Sequence, residues 1–183
     1  AAPAAPPAAT LVEEALPEIA APPAGGDDTV GGGSTTAPAL GAPSPLASLA
    51  ADTPPNVAAA TRLADAARLQ LAAGDEAAAL EQLERAIAID PNNPYAYLYL
   101  AETHLRTGTY DQAIAFAERA AGLAASRSPD WAGRAWALQG KAYEAAGRFG
   151  DARQAYLRAV RVAPGNLAAL VGLGRVGGAA GVP

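Results

Sequence analysis

Apolar and small residues recur along this chain at the spacing of one helical face, and glycine or proline cuts the runs at intervals. Leu63, Ala66, Ala67 and Leu71 share a face ahead of Gly74, and Ala79, Leu83 and Ala86 share another ahead of Pro91. Tyr97, Leu100 and Ala101 lead to Gly108, with Tyr110, Ala113 and Ala120 beyond it. Trp136, Gly140 and Tyr143 lead to Gly147, with Ala152, Tyr156 and Ala159 running on to Pro164. Apolar positions three and four apart predict amphipathic helices. A glycine closing a run of helix formers predicts a left-handed C-cap between two of them. The pattern is therefore a series of helical hairpins. Gly74 and Gly108 are 34 residues apart, whereas Gly147 follows Gly108 by 39, which predicts about five inserted residues in a longer connection and an added turn before Trp136. Asn93–Pro94 and Ser128–Pro129 each place a capping side chain before a proline at the first helical position. Asn166 is a cap for a last short helix, LAALVGLGRVGG.

The stretch 136–164, WALQGKAYEAAGRFGDARQAYLRAVRVAP, is similar to the helix-pair signature W-x₂-L-G-x₂-Y, A-x₃-F, P of the tetratricopeptide repeat, through Trp136, Gly140, Tyr143, Ala152, Tyr156, Ala159 and Pro164. Gln139 stands where that pattern has Leu. The earlier units recur in the same register, so the resemblance covers roughly residues 56–177. It implies an all-α fold: a right-handed superhelix of three helix pairs, at about 60–93, 94–127 and 133–166, with a C-terminal capping helix over 167–177 and a short tail at 178–183. The small residues Gly140, Ala152 and Ala159 are the expected points of close helix approach, with Ala79 and Ala113 in the place of Ala152 in the earlier units.

The resemblance further implies a concave groove, lined by the first helix of each unit, that binds a peptide or partner protein. Registering the units puts Arg68 on that wall from the first unit, Tyr95, Tyr99, Glu102 and Arg106 from the second, and Arg134, Leu138 and Lys141 from the third. Tyrosine supplies rigid amphipathic contact area and arginine pairs with carboxylates or stacks on rings. The mixture predicts an extended or helical peptide with apolar anchors and acidic groups. Some family members grip chaperone C-termini with a two-carboxylate clamp of Lys, Asn, Asn, Lys and Arg. The corresponding places here hold Ala64, Arg68, Tyr99, Arg134 and Leu138, and with both asparagines absent that activity is not carried over.

Composition changes the picture mainly at the N-terminus. Residues 1–55 are rich in Ala, Pro, Gly and Ser and carry Glu13, Glu14, Glu18, Asp27, Asp28 and Asp52 with no Lys or Arg, so this stretch is −6 and the remainder, with 13 basic and 12 acidic residues, is +1, for the net −5. Such a segment buries too little apolar surface to offset backbone ordering, and a mostly irregular tail or linker is expected. Two apolar islands interrupt it, at 10–19 and 40–49. In the first, Leu11, Val12, Leu16 and Ile19 fall near one helical face, cut short by Pro17, and form a candidate docking motif for a partner or for the protein's own groove. Self-association through this tail is one expectation, and a structural subunit held in a large complex or filament by the tail is the alternative to a scaffold.

The rest excludes more than it assigns. There is no Cys, so disulfides, thiolate metal sites and a cysteine nucleophile are ruled out. His104 is the sole histidine and occupies the packing place of Tyr143, so neither a catalytic base nor a zinc site is expected. No phosphate-binding or nucleophile-elbow motif occurs, no cofactor is expected, and the protein is read as non-catalytic. The basic residues are scattered without the stripe that binds nucleic acid, and no apolar run is long enough to span a bilayer. A chain starting at Ala1 without Met is expected to be a processed product or a fragment. With the spacer, this suggests a bacterial periplasmic or cell-envelope location, with the cytoplasm as alternative.

Overall fold

The computed structural model describes residues 43–179. Among them are seven α-helices and no strand: α1 Pro55–Ala73, α2 Glu76–Ile89, α3 Pro94–Arg106, α4 Tyr110–Ala124, α5 Pro129–Ala145, α6 Phe149–Val162 and α7 Leu167–Ala179, preceded by a 3₁₀ turn at Pro45–Ser48. The helices form three antiparallel pairs, α1/α2, α3/α4 and α5/α6, and α7 packs on both α5 and α6. The first helices of successive pairs also touch one another, so α1, α3, α5 and α7 share one side of the stack. The 1–42 stretch, and with it the docking motif Leu11, Val12, Leu16 and Ile19, lies outside the described residues.

The hairpin geometry follows from the turn glycines and the caps. Gly74, Gly108 and Gly147 have φ of 80°, 77° and 75°. This left-handed conformation ends the first helix of each pair and strains any residue with a Cβ. Asn93 Oδ1 accepts from the amides of Tyr95 and Ala96, both at 3.1 Å, while its Nδ2 donates to Thr61 Oγ1 at 3.0 Å, fixing the second pair to the first. Asn166 Oδ1 accepts from the Ala169 amide at 3.0 Å and so opens α7. Ser128 caps α5 by position only, with no side-chain hydrogen bond.

The five extra residues do not lengthen the connection. The links 90–93 and 125–128 are equal, whereas α5 has 17 residues against 13 in α3, and α4 has 15 against 14 in α2. A helical turn satisfies its own backbone polar groups, which an irregular insertion on the stack would leave to water. Pro129 at N1 starts that turn at 129 instead of 133, and Pro55 starts α1 at 55 instead of 60.

The pairs nest on alanine. Ala79, Ala113 and Ala152 are fully buried, as are Ala86 and Ala159. In the third pair the fully buried Tyr156 ring fills the notch at Gly140, where an added Cβ would stand 2.6 Å from the ring. Gly172 of α7 meets the same ring, so one aromatic occupies notches on α5 and α7. Tyr156 also donates its hydroxyl to Glu144 Oε2 at 2.8 Å, and Arg175 grips the same carboxylate with Nε at 2.8 Å and Nη2 at 2.9 Å. This network fastens α7 to the last pair. Gln139 is 2% exposed where the repeat signature has Leu; its Nε2 makes one long 3.5 Å bond to the Ile114 carbonyl and its Oε1 has no partner.

Candidate functional site

On the side shared by the first helices, a cavity of about 540 Å³ opens between α3, α5 and the start of α7. Its apolar lining includes Leu98, Ala137, Leu138 and Ala163. Trp131 stands against Tyr95 edge to face, ring centres 4.8 Å apart, and Arg134 lies 5.7 Å over the Trp131 ring. Trp131, Arg134, Leu138 and Lys141 project from α5 at intervals of three, four and three, one helical face. Arg134 and Lys141 are exposed, with no carboxylate within ion-pair distance among the described residues. Asp130 and Glu102 supply the acidic part of the lining, and Asn166 and Leu167 close it from the cap. An apolar floor with a few convergent polar groups is the usual make-up of a binding cleft.

Of the eight groove residues expected from sequence, five meet in this cavity: Tyr99, Glu102, Arg134, Leu138 and Lys141. Three do not line it. Tyr95 backs Trp131 from behind. Arg106 pairs with Glu102 at 2.8 Å and donates to the Leu71 carbonyl, clasping α3 to the end of α1. Arg68 pairs with Asp65 at 2.8 Å on its own helix.

Tyr99 corrects the expectation of an open contact ring. It is fully buried, and its hydroxyl donates to the Pro43 carbonyl at 3.0 Å. The chain at 43–48 covers it: Pro45 is buried and the 3₁₀ turn packs on α1. Burial pushes the phenol of Tyr99 far above its ordinary range, with the Arg68 guanidinium acting in the opposite direction. Residues 43–48, expected within an irregular tail, thus form part of the folded unit and occupy the α1–α3 side of the groove.

Trp131 is the main lining residue that sequence reasoning missed. It lies on the inserted turn of α5, outside the register of the other units. The i, i+3, i+7 spacing of 131, 134 and 138 was the signal that could have found it. His104 does pack: its ring stacks on Phe116 at 5.2 Å and its Nδ1 is 2.8 Å from Thr109 Oγ1, and desolvation lowers its pKa. Among the described residues no three His, Asp or Glu side chains converge as a metal site would require, and no helix is long and apolar enough to cross a membrane.

Stacked helical hairpins with a lined inner groove define an α-solenoid, the class that serves as protein-interaction scaffold. Tetratricopeptide repeat family models match residues 70–142 and 133–176, and the chain belongs to this superfamily. Small glutamine-rich tetratricopeptide repeat-containing protein 2 of Mycosarcoma maydis is 33% identical over 96 residues, 52% of this chain and 26% of that protein, so the chain spans about a quarter of that relative. Among solved structures, the first TPR of Spaghetti (RPAP3) bound to the HSP90 peptide SRMEEVD superposes with a TM-score of 0.60 at 21% identity, over 68% of this chain and 94% of that one. The second TPR domain of human RPAP3, in complex with the HSP70 peptide SGPTIEEVD, gives 0.58 at 24% identity, over 67% and 98%. At these identities the likeness is one of fold.

Proposed function

We propose that this protein is a non-catalytic scaffold whose α3–α5–α7 groove holds a peptide segment of a partner protein, one with an apolar anchor and at least one carboxylate. One observation carries the reading: Arg134 and Lys141 flank the half-buried Leu138 on the single face of α5 that lines the cavity. The apolar anchor fits beside Leu98, Leu138 and Trp131, and a carboxylate pairs with Arg134 or Lys141, neither of which makes an ion pair among the described residues. Similar folds with acidic peptides, SRMEEVD and SGPTIEEVD, support a peptide ligand of this charge. The places of the chaperone clamp are filled differently here, with Tyr99 buried under Pro43, so the contacts to such a peptide would be this protein's own.

Fluorescence anisotropy with labelled SRMEEVD and an acid-neutralised control of the same length tests the reading. The expected result is binding that weakens with added salt and by roughly tenfold or more in Arg134→Glu/Lys141→Glu. Equal affinity for both peptides, or binding unmoved by the double substitution, would overturn it.

A further inference from the structure

We infer that the outward face of α7 is a self-association surface, on which a second copy of this chain packs its own α7 antiparallel across a two-fold axis. The helix has two opposed faces. Ala169, Gly172 and Val176 are buried against the last pair. Turned away from it are Leu170 and Val171, 46% and 50% exposed, with Gly174 and Gly178, and Leu167, 72% exposed, stands where this face meets the mouth of the groove. These positions lie within about 60° of one direction on a helix of 3.6 residues per turn, and none is polar. A terminal repeat that ends a stack in water ordinarily shows a polar outer face.

The repeat register says what this face is. It lies 34 residues after Gly133, Trp136, Ala137 and Gly140, the face of α5 that α6 covers. Gly140 is filled by Tyr156, whereas the equivalent Gly174 has nothing within 4 Å. A helix laid on α7 as α6 lies on α5 does not fit, because Leu167 stands in the place of Gly133, where even a Cβ would come within 2.5 Å of Ala163.

The face instead complements itself. Its bulk lies at one end, in Leu167 and Leu170, and its hollow at the other, in Gly174 and Gly178. Turning a second copy end for end about a centre between Leu170 and Val171 sets Leu167 of each over Gly174 of the other. Arg175, at the edge, is already neutralised by Glu144 and brings no repulsion to the contact. A 13-residue helix is about 20 Å long. The pair therefore buries on the order of 800 Å², below a standard interface, so a weak dimer is expected and the concentration series is centred on about 10–100 µM.

Sedimentation velocity of the full chain over a concentration series tests this, with circular dichroism to confirm folding of each variant. The wild type is expected to dimerise in that range. Gly174→Leu alone and Leu167→Gly alone should each weaken dimerisation by about 30-fold or more, since a two-fold contact counts each change twice. The double variant Leu167→Gly/Gly174→Leu exchanges knob and hollow and should recover most of the loss. A wild type that stays monomeric to about 1 mM overturns the proposal, as does a dimer that persists in Val171→Glu or a double variant no better than its singles.

Discussion

Tyr99 of α3 donates its hydroxyl to the carbonyl of Pro43, 56 residues earlier in the chain, and the bond holds the 43–48 segment on the α1–α3 side of the groove. Removing the hydroxyl leaves the ring and deletes one partly buried hydrogen bond. Tyr99→Phe should lower stability by about 1 kcal/mol. Its sharper signature is local: amide exchange at 46–53 should quicken while the exchange of α5 and α6 is unchanged, as hydrogen exchange with mass spectrometry would report.

Two glycines one repeat apart should respond with opposite sign. Gly140→Ala drives a methyl into the Tyr156 ring and should cost about 1–3 kcal/mol by overpacking. Gly174→Ala meets open space inside a helix and should add up to about 1 kcal/mol through helix propensity. Thermal unfolding at low micromolar concentration, below the range in which dimerisation is expected, compares the two.

Gln139 is the residue by which this chain departs from its repeat signature, and the departure leaves a buried amide oxygen without a partner. Restoring the signature with Gln139→Leu replaces an unsatisfied group by one of similar size. A gain of about 1–2 kcal/mol is expected in chemical denaturation. A loss would show that the 3.5 Å bond to Ile114 outweighs the unpaired oxygen.

Acid should weaken the stack in two stages, and its end in the lower one. Hydrogen bonds from Arg175, opposed by desolvation and assisted by the Tyr156 hydroxyl, hold the Glu144 carboxyl below its ordinary 4.5. Because the folded value is the lower one, this contribution is complete above 4.5 and is lost as pH falls through the folded value. His104, lowered from 6.5 by desolvation, acts in the same direction: its contribution is present above 6.5 and declines as pH drops below it. Melting temperature against pH should therefore slope downward on the acid side in two stages. Glu144→Gln should flatten the lower stage and leave the upper.

The hairpins were legible because each is written locally. Helical periodicity, a turn glycine and a capping Asn before Pro all act within a few residues, and the alanine notches repeat at fixed offsets. The groove was legible only where the units keep register, which is why Arg134, Leu138 and Lys141 meet in the cavity while Trp131, carried on the added turn, was missed. Tyr99 was misjudged for another reason. What covers it comes from a proline-rich stretch with no periodic signal, and no pattern near residue 99 records a contact made with residue 43.

Stacked hairpins touch only their neighbours, so such arrays tend to come apart from the ends inward. The Tyr156 ring, lodged in the notches of Gly140 and Gly172 while its own helix is α6, gives three consecutive helices a common fate. Trimming that ring to alanine should uncouple them, so that the terminal helix frays at a temperature where the other pairs remain intact and one melting step becomes two.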